Sequence, residues 1–379
     1  MADDLTKRLA GLTPEQRELL LRRLRKEGLA VPGESRSSAA PLFTLDSGPE
    51  PAPSDRPVRF SLFFFSDGGA KSPAETYDLL LESARFADRR GFEAVWTPER
   101  HFQDFGGLYP NPAILAAALA AATERLGLRA GSVVLPLHEP RRIAEEWAAV
   151  DRLSAGRVGL SFAPGWHPTD FALRPESYAD RRETLFRGIE TVRRLWQEGL
   201  QPPPVQPELP VWVTCSTNPA TWTRAGEIGA HALTIIQPLP ALTEKIARYR
   251  AARAAHPGEG RVTVMVHAFV SEDEEAARDK VRGPMTSYLR TYFDQYGFLA
   301  GGNSLQGLRE ADVDSLMAIA FETYFSSLSL LGRPDKGARL IQHLRAIGVD
   351  EIACLIDFGV DAPAILEALP ALDRLRAAS

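Results

Sequence analysis

The segment Thr97–Pro112 reads TPERHFQDFGGLYPNP and sets an acid, a permanent cation and a titratable imidazole side by side as Glu99, Arg100 and His101. An imidazole exchanges protons near neutral pH, while an arginine stays charged and can hold an anion or a developing negative charge. For Glu99, an ion pair with Arg100 or with another arginine of the same face accounts for the residue as well as catalysis does. The cluster lies between an apolar strand-like run ending at Trp96 and a helix opening after Asn111-Pro112. In a chain of alternating strands and helices, that is where a barrel puts its chemistry.

Other polar groups occupy equivalent places. Cys215-Ser216-Thr217-Asn218 follows a strand-like run and precedes Pro219. A helix start of this kind offers unpaired N–H groups and a positive dipole end to a phosphate, although helix capping by Ser216 or Asn218 alone would explain the residue types. His167 and Asp170 are metal-type donors without a third in sequence reach, so no metal is expected. His267 alternates with Val262, Val264 and Val266 in a strand-like run. It either faces a substrate inside a barrel or is a satisfied core group, and the core reading carries more weight. No G-x-G-x-x-G or P-loop is present.

The elements that must position these residues alternate in type. Strand-like runs cover 58–65, 93–97, 128–135, 157–163, 210–215, 231–236, 261–270 and 351–357. Eight is the number that closes a β/α barrel. Amphipathic helices fill 73–90, 112–126, 140–153, 178–197, 219–228 and 241–255, and a last one over 364–375 is expected to break at Pro370. The seventh connection, 271–350, is far longer than a crossover requires. It holds an acidic helix, an aromatic stretch from Tyr288 to Phe298, a break at Gly301-Gly302 and a second helix over 316–330. Such an insertion at a barrel's mouth serves as a lid or substrate wall.

The barrel domain is assigned to 58–379. Before it, residues 1–30 read as one capped, leucine-rich helix, with Thr13, Pro14 and Gln16 opening it. Residues 31–57 carry six prolines and five serines with almost no apolar periodicity, a composition that reads as a linker. A leucine-rich helix on such a tether either docks a partner or packs on its own barrel.

Composition bounds the rest. With 44 basic against 49 acidic residues the formal charge is −5, which argues against nucleic acid as a partner. No signal-like N-terminus or membrane-length apolar run is visible. Cys215 and Cys354 both fall in strand-like runs and suit buried free thiols in a reducing compartment, so a cytoplasmic location is expected.

The run from Trp96 to Phe171, with WTPERHF, NPAILAAALAAATERL, GSVVLPLHEPRRIAEEWAAVDRLSAGRVGLSFAPGW and HPTDF in order, resembles the bacterial luciferase superfamily of flavin-dependent monooxygenases. More narrowly, residues 58–368 are similar to luciferase-like monooxygenase domains within or beside nonribosomal peptide and polyketide assembly lines. Gly165-Trp166-His167-Pro168 and GVDEIACLIDFGVD are the most specific pieces, and LTPEQRELLLRRL resembles segments that precede domains in those megasynthases.

The resemblance implies a (β/α)8 TIM barrel that holds reduced FMN at the strands' C-terminal face, uses O2 as co-substrate and receives its reduced flavin from a separate reductase. The lack of a nicotinamide fingerprint agrees with that arrangement. The implied substrate is an acyl or aminoacyl group on a carrier protein, oxygenated by hydroxylation or Baeyer–Villiger insertion in natural-product biosynthesis. By the same resemblance Glu99, Arg100 and His101 serve the chemistry. Cys215, Ser216, Thr217 and Asn218 meet the flavin phosphate, Gly131 and Ser132 lie where luciferases carry a cis peptide beneath the flavin ring, and Gly165, Trp166 and His167 wall the flavin or substrate pocket. His267 is the remaining substrate-side candidate.

Two departures stand out. Arg100 replaces the first of luciferase's two adjacent histidines, with His101 as the second. Pro164 replaces an arginine near the flavin phosphate, for which Tyr178 with Arg182 is a stand-in. The first departure keeps open a non-catalytic flavin-binding or carrier-docking subunit, and the barrel also admits a deazaflavin-dependent oxidoreductase. Related barrels dimerise, so a homodimer is a further expectation.

Overall fold

A computed structural model of the chain describes residues 56–65, 73–103, 105–106, 108–258, 260–299 and 310–379. The expected N-terminal helix, all but the last two residues of the linker and the Gly301-Gly302 break lie outside them. The described chain alternates β1 (Arg59–Phe63), α1 (Pro73–Arg90), β2 (Ala94–Thr97), α2 (Pro112–Ala122), β3 (Gly127–Val134), α3 (Pro140–Leu153), β4 (Val158–Ala163), α4 (Arg181–Glu198), β5 (Val211–Thr214), α5 (Pro219–Glu227), β6 (His231–Ile235) and α6 (Leu239–Arg253). It continues with β7 (Val262–Val270), α7 (Glu274–Leu299), α8 (Glu310–Ser327), β8 (Leu330–Gly332), α9 (Pro334–Ala346), β9 (Glu351–Leu355) and α10 (Ala362–Ala377).

β1 to β7 and β9 pair in parallel in chain order, and β9 closes the ring between β7 and β1. The result is the expected eight-stranded TIM barrel. Short apolar strands buried on both faces require this closure, because an open sheet would leave edge N–H and C=O groups unpaired. Among the described residues, no helix is long and apolar enough to cross a membrane.

The structure corrects several element assignments. The long seventh connection contains a ninth strand and a further helix. β8 pairs with the last three residues of β7, beyond the reach of β9, and α9 follows it. The second helix of the insertion is α8, which stops at Ser327 and leaves Leu330 in β8. α7 runs unbroken through both the acidic and the aromatic stretches despite Pro284. α10 is likewise unbroken at Pro370, because Ile365, Leu369, Ala371, Leu372 and Leu375 bury its inner face, and tertiary burial outweighs one missing hydrogen bond. α4 starts at Arg181, not Tyr178, after two short 3-10 turns. β5 ends at Thr214, one residue before Cys215. Both Cys215 and Cys354 are buried and free, and burial pushes both thiols up.

The barrel's lower interior is polar. The fully buried carboxylate of Glu351 on β9 accepts from Ser61 on β1 at 2.6 Å, Trp96 on β2 at 3.1 Å and Arg129 on β3 at 2.7 Å, with Arg261 at 3.3 Å. The Arg129 guanidinium lies over the rings of Trp96 and Trp212, at 5.0 and 4.8 Å. Burial opposes ionisation of Glu351, yet the charges of Arg129 and Arg261 and the hydrogen bonds hold its pKa below the ordinary carboxylate value.

Removing one partner from such a network leaves a buried charge uncompensated. Glu351→Gln is expected to cost on the order of 3–5 kcal/mol in urea unfolding at pH 7. Glu244→Gln, which breaks an exposed i,i+4 pair with Arg248, is expected to cost under about 0.5 kcal/mol. Equal losses in the two variants would refute this account of the barrel interior.

Candidate active site

Because the barrel strands run the same way, the segments after β2, β3, β4 and β5 share one mouth. Glu99, two residues past β2, is buried there. Its Oε1 meets His101 Nε2 at 2.8 Å and His138 Nε2 at 2.5 Å, while Oε2 accepts from the backbone N–H of Val134 at 2.7 Å. The expected ion pair with an arginine is therefore replaced by two histidines, because the β2–α2 loop turns Glu99 toward the end of β3. Burial works against the Glu99 carboxylate, but the hydrogen bonds from His101 and His138 hold its pKa below the ordinary value. Burial likewise works against protonation of His138, and the bond to Glu99 together with its charge raises that histidine above 6.5.

Arg100 turns the other way and is buried. Its Nη2 donates to Gln103 Oε1 at 2.8 Å, and its Nε lies 3.7 Å from Asp170 Oδ1. The guanidinium sits over the Trp166 ring at 4.7 Å. Nε and Nη1 have no hydrogen-bond acceptor among the described residues. Gln103 Nε2 in turn meets His167 Nδ1 at 2.6 Å, and the N–H of His101 donates to Asp170 at 3.1 Å. Burial, then the charge of Arg100, depresses the pKa of His167, whereas burial raises that of Asp170 against the pull of Arg100. Among the described residues no group of three or more His, Cys, Asp or Glu is placed to hold a metal.

Gly165 has φ +72°, and a Cβ there would meet Val134 and Phe171 at 2.7 Å, so only glycine lets this turn close over the end of β3. The loop thereby delivers Trp166 to Arg100. Tyr178 packs on Phe171 at 5.0 Å, and its cationic neighbour is Arg181, stacked at 4.1 Å, in place of the expected Arg182.

The peptide Gly131-Ser132 is cis, and the pairing of β3 with β4 shifts register there. A Cβ on Gly131 would strike the Phe63 ring at 2.8 Å, so barrel packing already requires glycine there. Ser132 Oγ meets Ser161 Oγ at 3.1 Å and also Thr214 Oγ1, joining the ends of β3, β4 and β5 by hydroxyls.

Beyond Thr214, Cys215 is buried, Ser216 is half-buried and Thr217 and Asn218 are exposed. Trp222 Nε1 holds the Ser216 carbonyl at 2.9 Å, and Asn218 caps α5 by accepting from the Ala220 N–H at 3.0 Å. Pro219 has no N–H, and the amides of Thr217 and Asn218 find no acceptor among the described residues. That leaves a short run of outward donors at a helix start.

The geometry thus unites Glu99, Arg100, His101, Trp166 and His167. Ser132 and Cys215 to Asn218 form a second group along the β3–β5 rim. His267 belongs to neither. It is buried beneath the insertion among Tyr288, Phe358 and Tyr324, and burial drives its pKa to about 3. Contrary to a satisfied core group, neither ring nitrogen has a hydrogen-bond partner among the described residues. The sequence reading missed His138 and Gln103. His138 lies four residues past β3, on the same barrel end as Glu99, and that position was the available signal.

A family model described as luciferase-like monooxygenase matches residues 58–351. The chain belongs to the luciferase-like monooxygenase family. It is 26% identical over 331 residues, 80% of this chain and 90% of the relative, to the oxygenase component of the flavin-dependent trigonelline monooxygenase of Acinetobacter baylyi. In fold it is similar to the oxygenating constituent of 3,6-diketocamphane monooxygenase of Pseudomonas putida, a type II Baeyer–Villiger enzyme solved with FMN. The TM-score there is 0.67 at 19% identity, covering 85% of this chain and 99% of that one. It is also similar to an F420-dependent secondary alcohol dehydrogenase, with TM-score 0.63, 15% identity, and 83% and 99% coverage.

The residues present fit a flavin nucleotide. The amides of Thr217 and Asn218, without an acceptor among the described residues, and the hydroxyls of Ser216 and Thr217 suit a phosphate, and the charge of Arg100 suits an electron-rich edge.

The pKa shifts at Glu99 and His138 set a pH window. Stability from the lowered Glu99 is complete above pH 4.5 and is lost as pH falls through its folded value; stability from the raised His138 is complete below pH 6.5 and is lost as pH rises through its folded value. The bridge is strongest between those limits. In NMR titration, His138 of the wild type is expected to titrate above 6.5. In Glu99→Gln, burial and Arg174 act unopposed by that carboxylate, so the midpoint is expected to fall below the wild-type value. An unmoved midpoint would refute the bridge.

Proposed function

We propose that this chain is the oxygenase component of a two-component flavin monooxygenase, using reduced FMN from a separate reductase and O2 to oxygenate an organic substrate. The observation that carries the reading is the joining of His101 and His138 on one buried carboxylate, beside the buried arginine Arg100. Bound FMN would supply the electrons that activate oxygen. The protein's part is to seat the nucleotide, exclude water and manage protons.

In this reading Thr217 and Asn218 N–H groups and the Ser216 hydroxyl hold the phosphate, and Ser132 lines the ring site. Glu99 fixes the His101 ring and balances a proton held on His138. Arg100, stacked on Trp166, stabilises negative charge developing nearby without itself titrating. Gln103 and His167 keep the Arg100 loop in place.

The substrate is proposed to be an acyl or aminoacyl group on a carrier protein. Support comes from the sequence resemblance to assembly-line domains, from the leucine-rich segment 1–30 and from the linker 31–57. That makes 1–30 a docking segment, 31–57 its tether and 58–379 the catalytic domain. A second reading, hydride transfer on a deazaflavin without oxygen, has the F420-dependent fold neighbour in its favour.

Oxygen uptake with reduced FMN, followed by mass spectrometry with labelled oxygen, separates the two. One labelled atom in a carrier-bound product, formed at least tenfold faster than from the free acid, is expected. No uptake beyond flavin autoxidation would overturn the oxygenase reading, and equal turnover of free and carrier-bound acids would remove the carrier. Ser216→Asp, which places a like charge against the phosphate, is expected to weaken FMN binding by at least tenfold, about 1.4 kcal/mol. Unchanged affinity would place the phosphate elsewhere.

A further inference from the structure

At the end of the barrel opposite the active site, a cavity of about 330 Å³ is lined by residues including Arg59, His231, Arg253, Gly260, Arg261 and Asp350. Its charges are unbalanced. The one carboxylate in this lining, Asp350, is already fully engaged: Oδ1 by Arg56 at 2.6 and 2.9 Å, Oδ2 by Arg250 and by the N–H of Val262, each at 2.6 Å. Arg261 is paired to Glu93 at 2.7 Å and Glu351 at 3.3 Å, and Arg59 lies 3.6 Å from Glu93.

Arg253, at the end of α6, has no such partner. It is only 8% exposed, and its Nη2 donates to the Pro257 carbonyl at 3.0 Å. Nε and Nη1 are enclosed and have no acceptor among the described residues. A second cation stands near it, since the charge of Arg253 adds to burial in lowering the pKa of Arg193. Burying an unpaired guanidinium costs several kcal/mol unless an anion offsets it.

His231 adds a donor. Its Nδ1 accepts from the N–H of Arg261 at 3.0 Å, which puts the ring proton on Nε2. Three arginines and this imidazole thus line one cavity beside a single carboxylate, Asp350, that is already engaged.

We propose that this cavity is an anion site for a phosphate group, with Arg253 as its principal counter-ion and His231 and Arg59 as further donors. Arg59, Arg253 and Arg261 outnumber Asp350 in the lining, a cationic excess that suits the double charge of a phosphate monoester better than the single charge of a carboxylate. A volume at the low end of ligand pockets leaves room for a small polar group behind the phosphate. The site is independent of the flavin reading.

The test is thermal unfolding and calorimetric titration of the full chain with inorganic phosphate and with glycerol 3-phosphate, against sodium chloride at equal ionic strength. A saturable rise in Tm of about 2 °C or more is expected. Tighter binding of the ester assigns the site to a phosphorylated metabolite, and equal binding assigns it to the free ion. Arg253→Gln is expected to weaken binding at least tenfold. Should that variant not fold, Arg59→Gln at the half-exposed rim is expected to weaken it severalfold. Ser216→Asp, at the other end of the barrel, is expected to leave the response intact. No stabilisation beyond that of chloride would overturn the proposal. So would a response undiminished in both arginine variants, or one lost in Ser216→Asp.

Discussion

The structure depends on a charge that water cannot reach. Glu351 is ionised at the centre of the barrel, and its oxygens are shared among groups from β1, β2, β3 and the start of β7. A carboxylate in that position is tolerated only when its acceptor capacity is filled with good geometry. Each strand must therefore hold its register to within a hydrogen-bond length. Registers fixed at the bottom determine where the strands end at the top. The separation of Glu99 from His138, which lie on loops after different strands, is thus governed partly by Arg129 and Glu351 at the other end.

The mouth repeats the principle with a titratable centre. Glu99 is as deeply buried as Glu351, but two of its partners are histidines, not arginines. A carboxylate held by arginines is a permanent structural ion pair. One held by imidazoles includes a partner, His138, whose proton can be lost as pH rises. The same device is static at one end of the molecule and adjustable at the other.

Much of this was legible in the sequence because its signals are local. Eight apolar runs separated by amphipathic helices gave the barrel, and Asn218 before Pro219 gave the cap of α5. What could not be read depends on closure. Glu99 sits next to Arg100 in sequence, and nothing local says that the chain turns it toward His138, 39 residues away. Arg129 and Glu351 read as odd polar residues in otherwise apolar strands, because their pairing exists only once β9 meets β1 and β3 lies across from it. β8 was missed because three residues are too few to show a period. Pro370 misled because a local rule for helix breaking yields to the burial of Leu369 and Leu372.

The insertion leaves and rejoins the barrel at one point. The Ser271 N–H donates to the Gly332 carbonyl at 3.0 Å, and Glu274 clasps Arg333 N–H and Lys336 just beyond. A lobe whose entrance and exit are neighbours can change length or sequence with little strain on what lies beneath, since closing a longer loop costs only a logarithmic increment. Descendants of this chain could thus exchange one roof for another over a conserved hearth. A graft for new specificity is best cut between Ser271 and Gly332.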